Sequence, residues 1–301
     1  MDRHGGSTIV GIGELLWDVL PSGKLLGGAP LNFACHCGQL GAKAYPVSCL
    51  GRDVPGQAIR RELASLGLDD LYVAEDGGHP TGSVEVTLDE GGKPSYTICE
   101  DVAWDFLAMS DRLADLATKT DAVCFGSLAQ RGAVSRSTIR GFLNRVQPEA
   151  LKIFDINLRQ AFYSQEIVAA SLESANVLKL SDEELPVLAG MFGLAGTAER
   201  QMAALMGRFD LRLIAYTRGA GGSLLMTPDE MDAHPGFPAA VVDTVGAGDA
   251  FTAALCAGLL QRCPLTEINR LANRVAAFVC AQQGATPVLP PEVTNQRTHA
   301  R

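Results

Sequence analysis

Asp243-Thr244-Val245-Gly246-Ala247-Gly248-Asp249 places two carboxylates six positions apart around three small residues. An apolar, Ala-rich run over 251–260 follows, with Phe251, Leu255 and Leu259 on one helical stripe. Small residues let a ligand lie close against the backbone. The spacing predicts that Gly246, Ala247 and Gly248 open a helix, where unpaired N–H groups and the positive dipole end attract an anion. A carboxylate beside such a site is electrostatically costly unless it has a task. Asp249 has one available: taking the proton from a hydroxyl that attacks a phosphate, while the neighbouring amides act as an anion hole for the transferring phosphoryl group. The plainer alternative is that Gly-Ala-Gly caps a buried helix and Asp249 sits in a favoured first-turn position.

Gly27-Gly28-Ala29-Pro30-Leu31-Asn32-Phe33-Ala34, followed by Gly41 and Gly51, forms a second cluster near the other end of the chain. Together the two segments resemble the signatures of the ribokinase-like (PfkB) sugar kinases. The first signature is matched at each of its spaced positions and the second through its core, Asp243 to Asp249. The resemblance spans about residues 8–290 and lies nearest the fructokinase subgroup. It implies an α/β, ribokinase-like fold with a central, mostly parallel sheet flanked by helices and a small β-strand lid. It also implies ATP as phosphoryl donor, Mg2+ with it, and K+ as a monovalent cation held near the catalytic loop by Asp243 and its neighbours.

The resemblance assigns further residues. Asp18, Gly27, Gly28 and Asn32 align with positions that bind sugar hydroxyls, and a carboxylate and an amide suit vicinal hydroxyls chemically. Alternatively Asn32 caps a helix and Asp18 is a solvated loop residue. Ala29 stands where ribokinases proper carry a lysine, which argues against ribose. Asp155-Ile156-Asn157-Leu158-Arg159 follows a buried strand and resembles the Asp-x-Asn-x-Arg segment of fructokinases and ketodeoxygluconate kinases. At the carboxyl end of a strand its polar residues face the ligand crevice. Asn157 and Arg159 are thus substrate candidates, with Arg159 either on the substrate or paired with Asp155. Gly126 to Arg131, including Gln130, looks fructokinase-like, and Trp104 is placed against the sugar or in the core.

For nucleotide and metal, Lys179-Leu180-Ser181-Asp182-Glu183-Glu184 matches the family's Asn-x-x-Glu region, with Ser181 in the asparagine position. Glu184 is the candidate for Mg2+, which keeps several waters. Ser181 with Glu184 also reads as a capping box. Thr217, Gly219 and Gly222 are expected along the phosphate or ribose side of the nucleotide, and Asn273 against adenine. Neither a P-loop motif nor a complete dinucleotide fingerprint is present, since Gly11 and Gly13 lack the third glycine.

The elements that must position these residues follow from the apolar pattern. Strands are expected at 8–12, 45–50, 122–125, 151–156, 175–180 and 211–217, and helices at 31–40 and 55–66. That alternation indicates a parallel sheet with helices on both faces, in one domain over 1–301. Two segments break it. Residues 14–26 run on without a helix, and 82–99 read as a hairpin turned by Gly91-Gly92. With its surroundings, about 14–26 and 80–103, this is the expected lid; the alternative is a surface hairpin. An exposed lid edge offers pairing to a second copy, the expected route to a homodimer.

The chain has 301 residues, 47% hydrophobic and 20% charged, with a net charge of −9. Such an acidic balance argues against a nucleic-acid surface. No apolar stretch reaches the length needed to span a bilayer, and no signal-peptide core precedes the first strand. Eight scattered cysteines contain no Cys-x-x-Cys pair, and Cys35 and Cys37 flanking His36 point to different helix faces. Reduced thiols in a cytoplasmic protein are expected.

These residues describe an ATP-dependent sugar kinase, most like a fructokinase. The rivals are a 2-keto-3-deoxygluconate kinase, for which Arg159 or Lys93 would meet the sugar carboxylate, and a nucleoside kinase, disfavoured by 6% aromatic content. A catalytically inactive sugar-binding relative is the rival from another class; an intact Asp249 and Gly-Ala-Gly argue against it.

Overall fold

Along each expected strand the apolar residues alternate between two destinations, and that alternation builds the molecule. Ile9, Cys124, Ile153, Val177 and Leu213 pack to one side of a sheet, while Val10, Phe125, Phe154, Leu178 and Ile214 pack to the other. A sheet buried on both faces needs helices on both. The computed structural model describes residues 6–20, 23–88 and 94–294 and contains that arrangement.

The strands in chain order are β1 (Thr8–Ile12), β2 (Leu16–Leu20), β3 (Gly23–Gly27), β4 (Lys43–Gly51), β5 (Val73–Asp76), β6 (Gly82–Leu88), β7 (Pro94–Ile98), β8 (Ala122–Phe125), β9 (Leu151–Asp155), β10 (Val177–Ser181), β11 (Leu213–Thr217), β12 (Ser223–Met226) and β13 (Met231–His234). The main sheet runs β13-β12-β11-β10-β9-β8-β1-β4-β5. Pairings from β5 through β11 are parallel, and β12 and β13 add an antiparallel edge. Chain order reverses direction between β1 and β8: β4 lies on one side of β1 and β8 on the other. The crevice outside the carboxyl ends of strands at such a switch point is where ligands bind in open α/β sheets.

The expected helices are present with small changes at their ends. The first runs Ala29–Gln39, with Pro30 in its opening turn, and the second is Val54–Ser65, capped by Asp53. Asn32 lies inside the first helix, whose N-cap position is Gly28, so Asn32 is not a cap. Ala247–Leu260 begins where the Gly-Ala-Gly pattern placed it.

Residues 14–26 form strands. β2 and β3 pair antiparallel, β2 pairs parallel with β6, and β6 pairs antiparallel with β7, giving a separate four-stranded sheet, β3-β2-β6-β7. The expected turn at 89–93, with Lys93, lies outside the described residues. Trp104 wedges beneath this second sheet: a Cβ on Gly82 would sit 2.3 Å from Trp104 Nε1. Among the described residues no helix is long and apolar enough to cross a membrane.

Candidate active site

Asp155 ends β9, and Lys179 lies beside it in register on β10. The Lys179 ammonium donates to Asp155 Oδ1 at 3.0 Å, and the Thr252 hydroxyl, from the helix Ala247–Leu260, donates to Oδ2 at 2.9 Å. Burial pushes the Asp155 carboxyl up, partly countered by Lys179 and Thr252. For Lys179 burial works against the charge, but Asp155 and Glu184 outweigh it and the ammonium is held above its ordinary range. The triad forms a charged floor, and the 246–248 loop rests on it. A Cβ on Gly248 would lie 3.1 Å from Lys179 Nζ. Gly248 therefore makes room for the floor below the loop.

Gly246 shapes the loop itself. Its φ is +78°, and a Cβ there would come within 2.4 Å of Ala285 O. That carbonyl lies 2.9 Å from His36 Nε2. Burial lowers the His36 pKa, so the neutral ring meets the carbonyl with its proton on Nε2. Asp243 fastens the other side: Oδ1 accepts from Val245 N at 3.0 Å and Oδ2 from Gly284 N at 3.1 Å. The Ala247 N–H turns back to Thr244 O at 3.3 Å, and no side chain caps the helix. The remaining first-turn amides have no intrahelical acceptor, the arrangement that suits an anion.

Asp249 sits in this first turn, half-buried. Its carboxylate Oδ2 accepts from Asn32 Nδ2 at 2.8 Å, a contact between residues 217 apart in sequence that joins the two motifs. Removal from water and the nearby Asp155 charge push its carboxyl up to about 7, against the pull of Asn32, Lys179 and Arg159. A carboxyl poised there is suited to exchanging a proton near neutral pH.

Glu14 was not singled out in the sequence as a site residue. It follows β1, is buried, and its carboxyl is raised to about 7 by burial, with Asp249 adding repulsion. The backbone amides of Glu14 itself and of Ala29 pull it back down, while Oε2 is left without a hydrogen-bond partner. The signal was a carboxylate in the otherwise apolar run Gly11-Ile12-Gly13-Glu14-Leu15-Leu16-Trp17. Asp18, on β2, is half-buried and raised by burial; Gly27 leaves it space, since a Cβ on Gly27 would be 2.5 Å from Asp18 Oδ2. Arg159 is exposed, and its charge pulls down Glu14, Asp18 and Asp249 alike, so it belongs to the same cluster. Asp155 is spent on Lys179, so it is not the partner of Arg159. Asn157 is held at φ +42° on the loop between Asp155 and Arg159.

Glu184 ties that loop to the next. Oε1 accepts from Leu158 N at 2.9 Å and Oε2 from Ser181 N at 2.8 Å. This is only half of the expected capping box, because no side chain caps the helix Glu184–Phe192. Each oxygen keeps a lone pair, which fits one carboxylate ligand for a hydrated metal. Among the described residues no group of three or more His, Cys, Asp or Glu is arranged to hold a metal alone. Thr217 ends β11, with Gly219 and Gly222 in the turn beyond, at the same edge of the sheet.

Two expected placements, those of Lys179 and Asn273, are corrected, and the alternative left open for Trp104 is decided. Lys179, expected on the nucleotide, is buried in the ion pair under the loop. Trp104, expected against the sugar or in the core, is 1% exposed with the Arg131 guanidinium stacked 4.1 Å over its ring, so it is core. Asn273, expected on adenine, is 7% exposed, and its Nδ2 is committed to Ser223 Oγ at 2.7 Å and Asn269 Oδ1 at 3.0 Å. Gln130 is likewise internal, donating to Gly126 O and Ser171 Oγ.

Comparison with known proteins bears on this geometry. The family profile for pfkB family carbohydrate kinases matches residues 22–292. The fructokinase of Salmonella typhimurium is 30% identical over 297 residues, covering 93% of this chain and 95% of that protein. The fructokinase from Xylella fastidiosa with bound ATP superposes with a TM-score of 0.83 at 25% identity, covering 95% and 96% of the two chains. A double mutant of the Vibrio cholerae fructokinase, bound to fructose, ADP and potassium ion, gives a TM-score of 0.80 at 26% identity over 96% and 97%.

Proposed function

The chain belongs to the pfkB family of carbohydrate kinases and is an ATP-dependent sugar kinase; from that premise we propose that it is a fructokinase, transferring the γ-phosphate of ATP to a primary hydroxyl of a ketose. The observation that carries the chemistry is the Asp249 carboxylate, raised to about 7 and hydrogen-bonded by Asn32 in the first turn of an uncapped helix.

In this reading Asp18, Gly27, Gly28 and Asn32 hold the sugar hydroxyls, with Asn157 and Arg159 at the rim. Asp249 takes the proton of the attacking hydroxyl as the oxygen–phosphorus bond forms. The amides of the 246–248 loop receive the charge on the phosphoryl oxygens, and fixed donors need no reorganisation at that moment. Ser181, Thr217, Gly219 and Gly222 line the nucleotide. Glu184 would hold Mg2+ through water, and Asp243 with its loop would hold K+; the metal supplies charge neutralisation at the phosphates. The sheet β3-β2-β6-β7 acts as the lid and, through its free edges, as the surface on which a second copy pairs.

Two solved relatives, a fructokinase with bound ATP and one with fructose, ADP and potassium ion, support this choice of substrates. Arg159 favours a second reading: a cation over three carboxyl groups would also suit a sugar acid, as in a 2-keto-3-deoxygluconate kinase. ADP release measured over fructose, other ketoses, 2-keto-3-deoxygluconate and nucleosides decides. Fructose should give the highest kcat/KM; a sugar acid or nucleoside outrunning it would contradict the proposal.

A further inference from the structure

Away from the crevice, residues 131–148 carry four arginines and no carboxylate or lysine, within a chain of net charge −9. Three of the four have acceptors. Arg131 forms a two-pronged pair with Asp105, at 2.9 Å for each contact. Arg145 Nη1 donates to Gly141 O at 2.8 Å, and Arg136 Nη1 to Gln130 O at 3.2 Å. Arg140 differs. Its Nε and Nη2 are buried without a hydrogen-bond partner among the described residues. A charged donor withdrawn from water with no acceptor is costly, and an anion beside the guanidinium offsets part of that cost through its charge.

Space for one lies alongside. Arg136 and Arg140 are four residues apart in the helix Ala133–Leu143 and so share a face. With Ala133, Ser137, Gly141 and Asn144 they line an open groove of about 390 Å³. Ala133 and Gly141 contribute little side chain to it. Ser137 and Asn144 are exposed and bring a hydroxyl and an amide, both able to donate. No carboxylate lines the groove, and it shares no residue with the catalytic crevice.

We propose that this groove is a binding site for a small phosphate-bearing ligand, held by Arg136 and Arg140, with Ser137 and Asn144 on its remaining oxygens. Two guanidinium groups plus two neutral donors match the three terminal oxygens of a phosphate better than the two of a carboxylate. The volume is at the small-molecule end of natural pockets, which suits free phosphate or a sugar phosphate. The site goes beyond the kinase reaction, because a ligand there would sit on a flanking helix with no access to Asp249.

Inorganic phosphate titrated calorimetrically into the full chain, with the catalytic crevice filled by a non-hydrolysable ATP analogue, tests this. One saturable phosphate site is expected, weakened at least about tenfold in Arg140→Gln and in Arg136→Gln. Phosphate should raise the melting temperature of the wild-type chain and not that of Arg140→Gln. Arg136→Gln, which leaves the buried Nε and Nη2 of Arg140 in place, keeps the test open if Arg140→Gln folds poorly. Both variants should retain wild-type turnover without phosphate. Fructose 6-phosphate competing more tightly than inorganic phosphate would identify a sugar phosphate as the ligand; the reverse would identify the free ion. No saturable binding, equal binding in all three chains, or tighter binding of citrate than of either phosphate would overturn the proposal.

Discussion

The helices Ala29–Gln39 and Ala247–Leu260 both begin at a glycine with positive φ, 118° at Gly28 and 78° at Gly246, and neither receives a side-chain cap from its N-cap residue. They meet through Asn32 and Asp249. Yet the first is closed and the second open. The buried Glu14 carboxyl lies near enough to the first amide of Ala29–Gln39 to be pulled down by it, so the protein supplies a carboxyl at the positive end of that helix. The first turn of Ala247–Leu260 carries its own carboxylate, Asp249, but that side chain accepts from Asn32 and no side chain caps the helix, and the loop lies over the Asp155–Lys179–Thr252 floor. Two similar helix starts are thus divided in labour: one is fixed and presents a neutral amide side chain, and the other keeps its dipole for an incoming anion.

The largest effect expected from disturbing this arrangement is at Asp249. Asp249→Asn should lower kcat by about 10²–10⁴-fold, the usual worth of a general base, while the ATP dissociation constant moves only a few fold. Stopped-time assays and nucleotide titration measure both; turnover above half of wild type would remove Asp249 as the base. Next in size is the floor. Lys179→Met leaves Asp155 buried without its cation, and breaking a buried pair in this way costs about 3–5 kcal/mol. Denaturant unfolding should show that loss, and a smaller change would mean the ion pair does not support the loop.

Gly246→Ala is expected to cost at least about 1–3 kcal/mol, because alanine resists the positive φ and its Cβ would meet Ala285 O. The corresponding change at Gly248 meets only the flexible end of Lys179, so Gly248→Ala should be milder. Melting temperatures of the two variants compare them directly; the reverse order would show that the loop is not held against Ala285. The smallest effect concerns Asn32. Its hydrogen bond pulls the Asp249 carboxyl down, so Asn32→Leu should move the acid limb of the activity profile to higher pH. A limb moving to lower pH would contradict the assigned contact.

Much of this was legible in the sequence, for reasons that are local. Strands β1 and β8 were read at their observed limits because short, mostly apolar runs stand there between a polar residue and a glycine, Ser7 and Gly13 for one and Asp121 and Gly126 for the other, and Gly-Ala-Gly before an apolar run marked the open helix start. The first arm of the hairpin, β6, was legible as valine alternating with polar residues, whereas 14–26 was read only as a stretch without a helix and forms β2 and β3. What stayed hidden depends on long-range packing. The floor joins residues 24 and 97 apart, so Lys179 read as a nucleotide contact although it is an internal cation. Glu14 looks like a loop carboxylate until β2 and the helix Ala29–Gln39 close over it. Asn273 and Trp104 are polar or amphipathic side chains whose exposure no local pattern sets; neighbouring Ser223, Asn269 and Arg131 decided it.

The pH dependence of kcat/KM for sugar phosphorylation tests the central claim most directly. Asp249 and Glu14 are both raised to about 7 from ordinary values of 3.8 and 4.5. Activity needs Asp249 unprotonated, so it should rise through about pH 7 to a plateau. Stability should run the other way: the folded chain keeps protons that the unfolded chain has lost. The contribution from these groups is complete below their unfolded values and disappears as pH rises through about 7. Glu14→Gln should retain an acid limb in activity, since the working proton belongs to Asp249, whereas Asp249→Asn should lose it along with turnover. A wild-type profile already flat between pH 5 and 8, or an acid limb that vanishes in Glu14→Gln and persists in Asp249→Asn, would contradict the account.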